Sequence, residues 1–107
     1  MIIYNVTVNI EKSIHDEWLI WIKNYIPQVL ATGKFTGAKL TKVLVEEEMG
    51  GTTYAIQYRA KSREALESYY KNDADKLNQD GLLKFTDKML TFRTELEIID
   101  EYSITHH

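Results

Sequence analysis

Residues 2–10 read Ile-Ile-Tyr-Asn-Val-Thr-Val-Asn-Ile, and this stretch has the period-two alternation of a half-buried strand. Residues 54–61, Tyr-Ala-Ile-Gln-Tyr-Arg-Ala-Lys, repeat the same division, and an amphipathic helical pattern follows each stretch at once. Two such units in series predict a βαββαβ order. The apolar set of the first strand is Ile2, Tyr4, Val6, Val8 and Ile10.

The first helix is predicted to begin at Ser13, whose hydroxyl suits an N-cap, and to run to about Tyr25. Pro27 would then interrupt it and start a short second segment that ends at Thr32, with Gly33 as a left-handed terminator. Helical spacing puts the side chains expected to lie on the sheet in one stripe. This stripe is Ile14, Trp18, Trp21, Ile22 and Tyr25.

The second helix is predicted to begin after Ser62 as its N-cap and to be broken near Gly81. Asp73 falls within its apolar stripe. Buried there, it would have a raised pKa suited to proton transfer, but it fits better as the N-cap of a restarted helical segment. In that case alanine in its place would cost about 1 kcal/mol of stability. The stripe is Leu66, Tyr69, Tyr70 and Leu77.

The other two strands are expected at about residues 38–48 and 88–100. The former is rich in charge, as edge strands often are, and the glycine pair at residues 50–51 turns it into the third strand. In the last strand we expect the apolar set to face the helices and the polar set to face away. The apolar set is Leu90, Phe92, Leu96 and Ile98, and the polar set is Thr91, Arg93, Glu95 and Glu97.

This order of elements predicts an α+β, ferredoxin-like fold. Right-handed crossovers place both helices on one face of a four-stranded antiparallel sheet with strand order 4-1-3-2. At 107 residues and 12.5 kDa, we expect one domain over residues 1–107, with residues 103–107 as a loose tail.

The composition narrows the possible functions. The chain has no cysteine, which excludes disulfides, thiolate catalysis and iron–sulfur clusters and favours a cytoplasmic location. Its net charge of −3 gives no general attraction to nucleic acid or to anionic membranes. We expect no cofactor, no metal site and no nucleic-acid or membrane partner. His106 and His107 resemble the remainder of a purification tag and are left out of the functional argument.

The polar face of the sheet is the first candidate site. Two guanidinium groups there could hold a carboxylate or phosphate, and amide and hydroxyl groups could orient it. The alternative is a solvated face or subunit interface with cross-strand ion pairs. The candidate residues are Asn5, Thr7, Gln57, Arg59, Arg93 and Glu95.

Aromatic side chains of the two helices form the second candidate, because Trp18 and Tyr69 with their neighbours could line a cleft for a flat apolar ligand. Ordinary core packing explains the same spacing and is favoured. His15 reads as a polar residue of the first helical turn. It could act as a general base, but its neighbours do not form a metal-binding pattern.

Four stretches, MIIYNVTVNIEKSIHDEW, IPQVLATGKF, GGTTYAIQY and FRTELEIID, resemble a small bacterial family known only as a domain of unknown function. The resemblance covers nearly the whole chain. Such proteins are similar to the dimeric α+β barrel superfamily, in which two ferredoxin-like subunits press their sheets together. The resemblance implies a homodimer. The superfamily includes cofactor-independent monooxygenases, isomerase-like proteins, haem-degrading enzymes and members without known activity. The resemblance assigns no catalytic residue, because the role of the family itself is uncharacterised.

A homodimeric, non-catalytic module that binds a small ligand or a protein partner is the favoured function. A cofactor-independent monooxygenase-like or isomerase-like enzyme is the alternative, because such relatives need few reactive side chains. Haem degradation is disfavoured, because the haem-binding relatives look to use a histidine on the second helix and this chain has no histidine between residues 16 and 105. RNA binding is also disfavoured, because the tyrosines that could stack on bases, Tyr4, Tyr54 and Tyr58, lie on the face assigned to the helices.

Overall fold

The alternating stretch at the start of the chain forms strand β1, Ile2–Ile10, in a computed structural model that describes residues 1–45, 50–85 and 87–104. A short 3-10 turn, Lys12–Ile14, leads into the first α-helix. The other elements are α1 (His15–Leu30), β2 (Phe35–Lys42), β3 (Thr52–Ala60), α2 (Arg63–Asn72), α3 (Ala74–Phe85) and β4 (Met89–Glu97).

The four strands form one antiparallel sheet in the order β2-β3-β1-β4, which confirms the predicted topology. Val6 of β1 lies opposite Ile56 on β3 and opposite Arg93 on β4. Directly opposed residues of antiparallel strands point to the same side of a sheet. The register therefore assigns every strand residue to one of two faces, which we call the helix face and the open face.

The helix face carries the core. Tyr4, Val8 and Ile10 of β1 are buried, as predicted, and Tyr58 of β3 lies beside them. The Tyr4 ring is stacked on Phe35 and Tyr58, with centroids 6.3 and 5.9 Å apart. Burying each large side chain contributes roughly 1.5–3 kcal/mol. The helices contribute a second set to the same core: Trp18, Ile22, Val29, Leu66, Tyr69 and Phe85.

The face predicted for β4 is wrong. Phe92 lies opposite Thr7 and Leu96 lies opposite Ile3, so the apolar set of β4 shares the open face. Phe92 is 63% exposed there. The polar set, including Arg93 and Glu95, faces the helices instead. Alternation along a strand shows that its two faces differ, but only pairing with a neighbour shows which face the helices cover.

The start and the middle of α1 also differ from prediction. Ser13 does not cap the helix, because its hydroxyl donates to Glu11 Oε1 at 3.0 Å inside the preceding 3-10 turn. The buried Ile14 ends that turn and leads directly into α1. Pro27 lies within a continuous helix. The amides of Asn24 and Gln28 donate to main-chain carbonyls of the same helix near this position, at 3.0 and 3.3 Å.

The second helical unit follows the prediction at its start and departs from it later. Ser62 caps α2, because its Oγ accepts the Ala65 N–H at 3.0 Å. The helix is interrupted at Asp73, whose carbonyl accepts the Leu77 N–H of α3. The carboxylate atom Oδ2 of Asp73 is buried without a hydrogen-bond partner. The break expected near Gly81 is wrong, since α3 continues to Phe85.

Strand β2 begins earlier than predicted and ends at Lys42; residues 46–48 of the predicted strand lie outside the described residues, as do His106 and His107. Gly33 has the predicted left-handed conformation, with φ at 79°. Among the described residues, no helix combines the length and the apolar character needed to cross a bilayer.

Candidate functional site

A cavity of about 270 Å³ lies between the helices and the helix face of the sheet, close to the β4 edge. Strands β1, β3 and β4 form its floor, while α1, α2 and α3 form its roof. Aromatic and aliphatic side chains make up most of the wall. The lining residues are Tyr4, Val6, Val8, Trp18, Trp21, Ile22, Tyr25, Ile56, Tyr58, Tyr69, Asn78, Gly81, Met89, Thr91 and Arg93.

Arg93 is the one charged side chain among the described residues that line this cavity. It reaches the helix face because its strand pairs with β1 through Val6. None of the described carboxylates forms an ion pair with it. A guanidinium beside apolar walls is a natural partner for an anion, because it offers two parallel donors to a carboxylate.

Glu95, the carboxylate nearest to Arg93 in sequence on the same face, is already hydrogen-bonded to other residues. Its Oε1 accepts from Arg63 and its Oε2 from the Tyr70 hydroxyl, each at 2.7 Å. These two hydrogen bonds lower the pKa of Glu95, with Tyr70 contributing most. Glu95 therefore ties α2 to the β4 edge.

The tyrosines of the cavity are neutral donors at physiological pH. Burial raises the pKa of Tyr25, Tyr58 and Tyr69 far above the usual range for a phenol, because their ionised forms would lose hydration. Burial also raises the pKa of Tyr4, and the nearby Arg93 acts in the opposite direction. Phenol groups in this state can donate to a ligand or to one another without carrying charge.

Two further polar groups belong to the cavity wall. The Tyr25 hydroxyl donates to Asn78 Oδ1 at 2.8 Å, which joins α1 to α3 across the roof. Trp18 is fully buried, and its Nε1–H has no hydrogen-bond partner. An unpaired buried donor costs roughly 1–3 kcal/mol, and this nitrogen presents no accessible surface to the cavity.

The open face carries the other half of the predicted polar site. The Asn5 amide donates to the Thr7 and Thr94 hydroxyls at 3.1 and 3.3 Å. Gln57 and Arg59 line a shallow groove of about 220 Å³ at one end of this face. Beside this polar strip lie the exposed apolar side chains of the β4 edge, Leu90, Phe92 and Leu96.

The predicted site residues thus divide into two groups. Asn5, Thr7, Gln57 and Arg59 share the open face, whereas Arg93 and Glu95 lie on the opposite face, so the predicted patch with two arginines does not form. Arg93 joins the two aromatic candidates in the cavity. The predicted site missed Tyr4, Tyr58, Asn78 and Thr91; the inward alternation of β1 and β3 already marked the two tyrosines.

His15 has a more specific environment than a polar first-turn residue. Its Nε2 lies 2.6 Å from the Tyr54 hydroxyl, and its Nδ1 lies 3.0 Å from Asp16 Oδ1. The imidazole also stacks on the Tyr54 ring, with centroids 5.8 Å apart. These contacts join the start of α1 to β3. In the described part of the chain, no cluster of three or more His, Cys, Asp or Glu residues could hold a metal ion.

Solved structures of the same fold support this architecture. A dimeric ferredoxin-like protein from an uncultured marine organism is 10% identical, covers 94% of this chain and 97% of its own, and superposes with a TM-score of 0.72. The Arabidopsis thaliana protein At3g17210 is 17% identical at 99% and 100% coverage, with a TM-score of 0.66. A Deinococcus radiodurans protein of proposed antibiotic biosynthesis monooxygenase type is 14% identical at 99% and 100% coverage, with a TM-score of 0.59.

At these identities the similarity establishes the fold alone, which is ferredoxin-like. No curated protein matches this chain significantly. The family model described as "Domain of unknown function (DUF4286)" matches residues 1–99, which include every strand and helix that the structure describes. The chain therefore belongs to the DUF4286 family, as the resemblance of its sequence predicted.

Proposed function

We propose that this protein is a homodimeric module that binds a small planar anion, an aromatic or conjugated carboxylic acid, in the cavity between the helices and the sheet. The observation that carries the proposal is the position of Arg93. Its guanidinium borders an aromatic cavity whose described lining includes no carboxylate, and the adjacent Glu95 is held by Tyr70 and Arg63. An acid would place its ring against the walls and its carboxylate on Arg93.

The cavity volume limits the ligand to one or two rings. A cavity of about 150 Å³ accepts benzene in other proteins, and typical ligand sites begin at about 300 Å³. At about 270 Å³, the present cavity fits a substituted benzoate or a naphthoate better than a larger polycyclic molecule. Arg93 is itself exposed, so the carboxylate would lie at the mouth and the ring inside.

The test is calorimetric titration with 2-naphthoate and its neutral amide, 2-naphthamide. We expect the acid to bind more tightly, and Arg93→Gln to weaken acid binding by about 10-fold to 100-fold, because a charge-assisted hydrogen bond contributes about 1.5–3 kcal/mol. Amide binding should change little. Arg59→Gln is the matched control, because this exposed arginine lies on the open face and should leave both affinities unchanged.

Two results would contradict the proposed site. If Arg59→Gln abolished acid binding and Arg93→Gln did not, the ligand would bind on the open face. If neither the acid nor the amide bound to the wild-type protein at millimolar concentration, a planar aromatic ligand would be the wrong class.

The homodimer is supported by the composition and the size of the open face. Four strands of about nine residues give a surface of about 19 by 30 Å, or about 570 Å² in projection. With its side chains, this approaches the roughly 800 Å² that each subunit contributes to a standard interface. Leu90, Phe92 and Leu96 would provide its apolar part, and the Asn5, Thr7 and Thr94 hydrogen bonds satisfy polar groups beside it.

An enzyme of the cofactor-independent monooxygenase or isomerase type is the second candidate. The cavity supports it, because a ligand there would be surrounded by neutral phenols and Arg93. Oxygen uptake in the presence of electron-rich naphthols would support this candidate if Arg93→Gln slowed it. Tight binding of naphthoates without turnover of such compounds would favour the binding module.

A further inference from the structure

The segment that follows β4 is rich in large apolar side chains, which is typical of a segment that packs against another surface. Residues 98–104 read Ile-Ile-Asp-Glu-Tyr-Ser-Ile, and we call them the trailing segment. Ile99, Tyr102 and Ile104 are 79%, 89% and 84% exposed. The Ile98 N–H donates to the Met1 carbonyl at 2.8 Å, and no later residue of the segment has a described backbone hydrogen bond to the rest of the chain.

The groove on the open face, which we call the basic groove, complements this segment. It is about 220 Å³ in volume and includes Ile3, Gly37 and Gln57 in its lining. Lys39 and Arg59 also line it, and neither forms an ion pair among the described residues. The trailing segment carries two carboxylates, Asp100 and Glu101, between its apolar side chains. Two negative charges on the segment therefore match two positive charges in the groove.

We propose that the trailing segment of one subunit docks into the basic groove of its partner, so that each subunit of the dimer fastens the other. This inference rests on the homodimer proposed above and adds the contact that closes it. Asp100 and Glu101 would pair with Lys39 and Arg59, while Tyr102 and the flanking isoleucines would cover the apolar surface around Ile3.

The sheet topology places the two features at the same end. Leu96 of β4 lies opposite Ile3, Ile3 lies opposite Arg59, and Arg59 lies opposite Gly37. The trailing segment thus leaves the β4 edge at the end of the sheet where the groove lies, three strand spacings or about 14 Å away. A two-fold axis between facing sheets and parallel to their strands superimposes the β4 edge of one subunit on the β2 edge of the other.

The segment is long enough for this contact. Facing sheets pack about 10 Å apart, and seven extended residues reach about 23 Å. In the single chain, the segment does not lie on its own sheet, as the exposure of its apolar side chains shows. Within the segment the Tyr102 hydroxyl donates to Asp100 Oδ2 at 3.4 Å, and docking in the partner would exchange this contact for the proposed ion pairs.

Cysteine cross-linking tests the contact directly, because the chain has no cysteine of its own. Gly37 suits one cysteine, since a side chain added there meets nothing within 4 Å. We expect a Gly37→Cys and Tyr102→Cys double variant to form a disulfide-linked dimer under mild oxidation, seen at twice 12.5 kDa without reductant. The control pair is Thr41→Cys with Tyr102→Cys, because Thr41 lies on the same face and strand about 13 Å farther along.

Charge reversal tests the proposed ion pairs. The variant D100K/E101K should raise the dimer dissociation constant about tenfold at low salt. Adding K39E/R59E to that variant should return the dissociation constant to the wild-type value. Light scattering of the wild-type protein separates the two proposals. If the wild-type protein is a dimer but the cysteines at positions 37 and 102 form no cross-link, or those at positions 41 and 102 link equally well, the docking contact alone is wrong. If the wild-type protein is a monomer, with or without a disulfide between positions 37 and 102 in the double variant, both the docking contact and the homodimer are wrong.

Discussion

At the level of single residues, Gly81 shows how a residue that ordinarily weakens a helix can be required by its surroundings. A methyl group at Gly81 would lie 2.7 Å from Trp21 Cη2. The Trp21 indole cannot easily move, because it stacks on Tyr25 at 4.6 Å and meets the edge of Phe85 at 5.6 Å. The sequence suggested a helix break at this glycine, but its function is to let α3 approach α1 over the cavity.

We therefore predict that Gly81→Ala destabilises the protein. Alanine improves helix propensity by about 1 kcal/mol, whereas overpacking a filled site costs about 1–3 kcal/mol. The net loss should be about 1 kcal/mol, or about 4–8 °C in Tm, measured by thermal and urea unfolding. In a Trp21→Phe background the clash is removed, and the same substitution should become neutral or stabilising. Equal effects in both backgrounds would contradict this explanation.

At the level of secondary structure, the Ser62 cap could be predicted from the sequence alone because it depends on local geometry. Ser62 Oγ accepts the Ala65 N–H at 3.0 Å and satisfies one of the unpaired donors at the start of α2. We predict that Ser62→Ala lowers the free energy of unfolding by about 1 kcal/mol. Ser13→Ala is the control, since Ser13 does not cap α1, and its urea midpoint should shift much less.

Strand β4 shows a feature that could not be predicted from local sequence alone, namely which of its two faces the helices cover. The alternation of Phe92 with Arg93 correctly indicated two unlike faces, but the prediction took the apolar one to be the face under the helices. The rule that the apolar face of a strand packs against the helices fails for β4, because its apolar side chains lie on the open face. The pairing of Val6 with Arg93 is a long-range contact, and no residue near β4 in the sequence encodes it. The charged group of the cavity was missed for the same reason, because Arg93 comes from this strand.

The attachment of α2 to β4 through Glu95 should depend on pH. The hydrogen bonds from Tyr70 and Arg63 lower its folded-state pKa below the ordinary value of 4.5. The stabilisation is therefore complete above about pH 4.5 and is lost as the pH falls through the lower folded-state pKa. We predict a higher urea midpoint for the wild-type protein than for Glu95→Gln at pH 7, and equal midpoints near pH 2.

The control for this titration is Glu97→Gln, because Glu97 lies on the same strand and face but has no ion pair among the described residues. Its midpoint should follow the wild-type curve at every pH. A difference between wild type and Glu95→Gln that persists at pH 2 would show that shape, and not charge, holds α2 to β4.

At the level of the whole molecule, the sequence predicted the strand order and the placement of the helices well. The two βαβ units repeat a strong pattern, and right-handed crossovers leave few alternative arrangements. The cavity depends on different information. It exists because α3 approaches α1 at Gly81 and because β4 turns Arg93 toward the helices, and each of these contacts joins residues far apart in the chain.

The open face provides the last prediction, which concerns assembly. Phe92 is 63% exposed on this face, and Ile20 is 67% exposed on α1. If two sheets face each other, Phe92→Glu buries a charge without a partner and should raise the dimer dissociation constant about 100-fold or more. Ile20→Glu changes a side chain of similar exposure on the helix layer and should leave the dimer intact. Light scattering should then give half the wild-type mass for Phe92→Glu alone, with an unchanged circular dichroism spectrum. A wild-type protein that measures 12.5 kDa at micromolar concentration would contradict this assembly.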